Sequence, residues 1–162
     1  MPALHTDKDR LWRSAVKYVF ADFINALQDA QSRYADSCPK ERFAAMIRIY
    51  VRYAADHPEL HKIVLQESSY QSDRLEWLSK NFLNPLADSA TRYIAELQDN
   101  GVTPAGDPHI IYNMIRVSSG TLIALALELK NTSGLEIDSG ERLDELADLI
   151  VRFFLPGEWQ MA

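Results

Sequence analysis

The stretch KERFAAMIRIYVRYAADHPEL, Lys40 to Leu60, decides how the chain reads. Phe43, Met46, Ile47, Tyr50 and Ala54 recur at the spacing that lines up side chains along one face of an α-helix. Ala45, Ile49 and Tyr53 form a second apolar side, so this helix is expected to have neighbours in more than one direction. Ahead of it, the polar run from Gln31 to Cys38 reads as a connector. Pro39 then falls at or near the first helical position, where its missing N–H leaves no helical bond unmade. His57 and Pro58 end the helix, because proline disfavours the α conformation in the residue before it. A short helix from Pro58 to about Glu67 restarts at once.

Working outward, the same periodicity continues. Toward the N-terminus, Leu11, Ala15, Val19, Phe23 and Leu27 share a face that Trp12, Val16, Phe20 and Ile24 widen. The predicted helix begins after Thr6 as N-cap, with Asp7 and Asp9 in its first turn, and runs to about Ala30. Toward the C-terminus, Leu75, Leu78, Phe82, Leu86, Ala90, Tyr93 and Leu97 predict one helix, kinked at Pro85, to about Asn100. After a loop marked by Gly101, Pro104 and Gly106, Asp107 and Pro108 give an N-cap followed by proline, a strong helix start. That helix is expected to reach about Lys130, with Ile111, Ile115, Leu122, Leu125 and Leu129 on one face and Ile110, Met114, Val117, Thr121 and Ala124 on another. A last helix from about Ser139 presents Leu143, Leu146, Ala147, Ile150, Phe153 and Phe154 before Pro156 and Gly157 stop it. No segment alternates with a period of two, so the expected fold is an all-α bundle of about six helices, one domain across residues 1–162.

Of the 162 residues, 47% are apolar and 25% charged, as in soluble globular domains. The 17 Lys and Arg against 23 Asp and Glu leave a net charge of −6, the wrong sign for a module that neutralises phosphates. DNA binding by this chain alone is not expected. A single cysteine, Cys38, excludes an internal disulfide framework. The first twenty residues hold no apolar h-region, and no apolar run approaches the roughly 20 residues of a membrane span. A cytoplasmic protein without membrane contact is expected.

Catalytic apparatus is not visible: there is no nucleophile elbow, Gly-rich phosphate loop or defensible Ser-His-Asp or Cys-His set, so neither an enzyme nor a cofactor is expected. His57 and His61 stand four apart with Glu67 beyond, but Pro58 breaks the helix between them and no metal site is predicted. Phe43, Met46, Tyr50, Trp77, Phe82, Tyr112 and Met114 read either as core or as the lining of an apolar ligand pocket. Arg116, between Ile115 and Val117, reads as a partner for an anionic group or as an Arg with a packed stem and a solvated or ion-paired head. Ser119, beside Ser118, offers a hydroxyl to a ligand or merely a small side chain for packing. Gly120, inside a helical pattern, points to a close approach of another element.

Three segments carry a resemblance. His5-Thr6-Asp7-Lys8-Asp9-Arg10-Leu11 is similar to the junction at which, in the TetR family of transcriptional regulators, the helix-turn-helix ends and the fourth helix begins. Lys8 and Leu11 match that pattern, and His5 stands where the family prefers Phe. Tyr53-Ala54-Ala55-Asp56-His57-Pro58-Glu59-Leu60 resembles the family's junction between its fifth and sixth helices. Arg74-Leu75-Glu76-Trp77-Leu78 and Asn84-Pro85-Leu86 resemble its seventh helix. The resemblance implies a small-molecule effector pocket among the helices and a homodimer through the last two long helices, about 108–130 and 139–155. Leu122, Leu125, Leu129, Leu143, Leu146, Ile150 and Phe153 are then the expected interface. Only ten residues precede Leu11, whereas a three-helix DNA-binding head needs about 45, so the sensing part is expected without its head. A headless protein that dimerises with full-length regulators is the alternative reading.

Overall fold

A computed structural model describes residues 3–156, with side chains from residue 7 onward. The described residues form an all-α bundle with no strand. Helix α1 spans Ala3–Arg33, α2 Pro39–Asp56 and α3 Pro58–Glu67. Helix α4 joins Asp73–Leu78, a π-turn Ser79–Leu83 and Asn84–Asp99, and α5 joins Pro108–Arg116, a π-turn Val117–Thr121 and Leu122–Ala124. Helices α6, Ala126–Ser133, and α7, Gly140–Phe154, complete the bundle.

Helix α1 is longer than its spacing predicts, and Thr6 stands inside it rather than capping it. Ala3 and Leu4 are strong helix formers, and nothing before Pro39 breaks the segment at either end of the predicted range. Its buried stripe follows Val16, Phe20, Phe23 and Ala30, with Trp12 partly buried at its start. Leu11 lies one residue round the helix from that stripe and is 73% exposed. The turn after α1 is held from α2: the Arg42 guanidinium donates to the carbonyls of Tyr34, at 3.1 Å, Ala35 and Ser37.

Helix α2 is the central element. The Cys38 thiol caps it, accepting from the Glu41 N–H at 3.5 Å, and Pro39 occupies its first turn. It buries Phe43, Ala44, Ile47, Val51 and Ala54 and touches α1, α3, α5 and α7. At its exposed edge, Arg48 pairs with Asp148 at 2.9 Å and Arg52 with Asp144 at 2.6 Å. Those half-exposed pairs fix the α2–α7 register more than they stabilise the fold.

Pro85 does not split α4. The Asn84 N–H bonds to the Ser79 carbonyl in a π-turn, and the widened turn accommodates a proline ring that in a regular helix collides with the preceding turn. The helix predicted to run from Pro108 to Lys130 is instead broken. At Leu125 the backbone leaves the α region, its N–H shared between the Thr121 and Leu122 carbonyls, and α6 departs at 75° from α5. The cap predicted at Asp107 is in place, its carboxylate accepting from the His109 N–H at 2.8 Å, and the Ser139 hydroxyl caps the last helix, accepting from the Arg142 N–H at 3.3 Å. Among the described residues no single helix is long and apolar enough to cross a membrane.

The interior divides into two apolar clusters. One gathers Ile47, Val51, Leu97, Ile111, Ile115, Leu143, Ile150 and Val151 between α2, α4, α5 and α7. The other gathers Val16, Phe20, Leu60, Val64 and Leu78 between α1, α3 and the start of α4. Aromatic contacts knit the second: Phe20 stacks on Phe82 at 4.7 Å, and Trp12 meets Trp77 edge-on at 5.8 Å. Arg74 and Arg13 cover the Trp12 and Trp77 rings, both guanidiniums held by Asp9.

Candidate ligand cavity and apolar face

A cavity of about 440 Å³ opens where the two clusters meet, within the range of small-molecule sites. Phe23, Leu27 and Gln31 of α1 form one wall; Phe43, Met46, Ile47 and Tyr50 of α2 form the second. Leu86, Ser89, Ala90, Tyr93 and Ile94 of α4, with Tyr112, Ile115 and Arg116 of α5, close it. Ala35, Ser89 and Ala90 are small where larger side chains would bring the walls together. Arg42 lies at the end where α1 turns into α2.

Beneath one wall lies a buried polar pair. The Tyr50 hydroxyl and His61 Nε2 share a 2.6 Å hydrogen bond, and the His61 ring sits on Gly120, where no Cβ fits. Burial pushes the Tyr50 phenol well above its ordinary pKa and so keeps it protonated. Burial, then the nearby Arg116 charge, lowers His61 to about 4 and so keeps it neutral. Burial likewise raises the Tyr112 phenol. Neither His61 Nδ1 nor the fully buried Ser119 hydroxyl has a hydrogen-bond partner among the described residues.

The His61 environment predicts a pH dependence. An unfolded chain carries this imidazole near its ordinary value of about 6.5, so between there and about 4 the unfolded state holds the extra proton. Stability is therefore complete above the upper value and falls as pH drops toward the lower, by about 3 kcal/mol. Urea denaturation across that window is expected to show the loss in the wild type and in His57→Gln, but not in His61→Gln. An unchanged slope in His61→Gln contradicts the assignment.

Of the residues singled out as ligand contacts, Phe43, Met46, Tyr50, Tyr112 and Arg116 line the cavity together. Trp77 and Phe82 lie outside it, packed against the second cluster. Met114 is 55% exposed on the outer side of α5, and Ser119 is buried in the π-turn. His57 stacks on Tyr53 and approaches Glu59 at 3.5 Å, whereas His61 turns to Tyr50. The cavity residues not singled out as ligand contacts include Phe23, Leu27 and Gln31 of α1, Arg42 and Ile47 of α2, Ser89, Ala90 and Tyr93 of α4, and Ile115 of α5. Only the small side chains at 89 and 90, in an otherwise bulky helical pattern, marked the α4 wall in the sequence.

A second feature lies on the outer surface. Ile110, Met114 and Val117 of α5 and Leu149 and Phe153 of α7 are exposed. Two shallow grooves meet at Ile110 and Met114, one leading past Val117 to Leu122 and Leu125, the other to Leu146, Leu149 and Phe153. Asp107 alone of the groove residues carries a carboxylate, and none carries a Lys or Arg. The residues expected at the interface from the resemblance fall into two sets in the single chain. Leu143 and Ile150 are buried in this chain's own core, because the Leu143–Ala147–Ile150–Phe154 stripe of α7 faces inward. Leu129 is half-buried against the same core, carried there by the bend before α6. Leu122, Leu125, Leu146 and Phe153 remain on the groove walls.

No protein-family model matches the chain, and no characterised protein matches it in sequence.

Proposed function

We propose that this chain is the effector-binding and homodimerisation domain of a TetR-like transcriptional regulator, working in the cytoplasm and not itself contacting DNA. One observation carries the reading: α5 serves both features at once. Tyr112, Ile115 and Arg116 face the cavity, while Ile110, Met114 and Val117 of the same helix stand on the outer apolar face. A small, largely apolar molecule seated in the cavity bears on α5. A second copy of the chain, seated on the face, bears on it from the other side. A face nearly free of charge suits contact with its own copy, since an isologous interface sets each residue near its symmetry mate and like charges there repel. By linkage, an effector that prefers one position of α5 shifts the geometry across the dimer, and dimer geometry in turn sets effector affinity.

Phenylnaphthylamine, a neutral fluorescent probe, tests the cavity without presuming the effector. Ala90→Trp fills the space from the α4 wall and is expected to weaken probe binding by about tenfold or more while circular dichroism stays helical, since each buried apolar group lost is worth over 1 kcal/mol. Undiminished binding in Ala90→Trp places the probe elsewhere and removes the cavity from the account.

A further inference from the structure

We infer that the natural ligand of the cavity is an organic carboxylate, an apolar body ending in one anionic group that Arg116 receives. This rests on the cavity being the effector site and adds its chemical class. The chain as a whole carries a net charge of −6, yet the cavity lining holds two arginines and no Asp or Glu. Such a reversal of sign in one half-open cavity suits an anionic ligand, because an arginine without a carboxylate partner there is available to a negatively charged group.

The two arginines are not equivalent. Arg42 is committed to the connector between α1 and α2, its Nε and Nη2 donating to three main-chain carbonyls. Arg116 donates Nε and Nη2 to one neutral acceptor, the Asn113 side-chain oxygen, at 3.2 and 3.1 Å, and no carboxylate among the described residues pairs with it. Its charge is felt inside the cavity, where it opposes the effect of burial on the Tyr50 and Tyr112 phenols. The planar guanidinium fork matches the two oxygens of a carboxylate, and the Tyr112 phenol, one helical turn before it on the same cavity wall, adds a further donor. The remaining wall is apolar apart from Gln31, Ser89 and Tyr93, which asks for an aliphatic or aromatic body rather than a sugar or a polyphosphate. The space, about 440 Å³, lies within the range of small-molecule sites.

The test displaces phenylnaphthylamine from the purified chain with decanoate and, separately, with decanol, which shares the apolar body and lacks the charge. Decanoate is expected to compete about tenfold more strongly than decanol, the worth of a charge-assisted hydrogen bond. In Arg116→Gln that preference is expected to vanish while decanol competes as before, and Arg116→Lys, keeping the charge without the fork, retains part of it. Equal competition by the two in the wild type, or a preference that survives Arg116→Gln, overturns the carboxylate assignment and leaves the cavity as a site for neutral molecules. Failure of the probe itself to bind removes the effector site, and this inference with it.

Discussion

Gly120→Ala is expected to destabilise the chain by about 3 kcal/mol, although the same substitution in an ordinary helix gains about 1 kcal/mol. Steric overlap decides the sign. A Cβ at Gly120 would lie 1.9 Å from His61 Nε2, 2.3 Å from Cδ2 and 2.5 Å from Cε1, so the whole edge of the ring is in the way. The ring has nowhere to go, because His61 is 3% exposed and bound to Tyr50 at 2.6 Å. Overpacking of a rigid core costs about 1 to 3 kcal/mol or more, and losing the Tyr50 hydrogen bond adds about 1 kcal/mol. Thermal unfolding should come about 10 °C earlier. In a His61→Ala background the added methyl has room, so Gly120→Ala there is expected to be neutral or stabilising. A Gly120→Ala protein as stable as the wild type contradicts the packing described.

Met114→Glu combined with Phe153→Glu is expected to convert a dimer into a monomer. Both side chains are mostly exposed in the single chain, 55% and 70%, so the folded subunit tolerates the change and its helical circular dichroism should persist. In a dimer each copy contributes both positions to the apolar face. Each apolar side chain withdrawn costs about 2 kcal/mol, and the carboxylates brought together add repulsion. The dissociation constant is then expected to rise by about three orders of magnitude or more, which light scattering at micromolar concentration reads as halved mass. Ile150 is unsuitable for this test, because it is 4% exposed within the subunit core and a charge there unfolds the chain. An unchanged oligomeric mass in the double variant locates any subunit contact elsewhere.

The helices were legible in the sequence because their signals are local. Proline and the cap at Asp107 marked starts, though Thr6 did not, and the stripe of α2 gave its central place. The bend at Leu125 was not legible, since no proline or glycine stands there and the break lies in a shared backbone hydrogen bond. That one bend turns Leu129 inward. Likewise, periodicity assigned α7 an apolar helix but could not divide Leu143 and Ile150, which face α2, from Leu146 and Phe153, which face outward. One side of the cavity was visible in part, as Phe43, Met46 and Tyr50 of α2 and Tyr112 and Arg116 of α5. The other side depends on how α1 and α4 lie across the gap between the two clusters, and Trp77 and Phe82, the most conspicuous aromatics of α4, were drawn into packing with α1. Gly120 was the exception among tertiary signals, because a glycine inside a helix has few reasons other than a close neighbour.

Native mass spectrometry of the purified, unmodified chain tests the central claim most directly, since subunit number and cavity occupancy appear in one spectrum. The account predicts a species at twice the 18.4 kDa chain mass, carrying additional small mass that denaturation releases as an organic acid. A bare monomer at 18.4 kDa, with no dimer at any concentration sprayed, would contradict it.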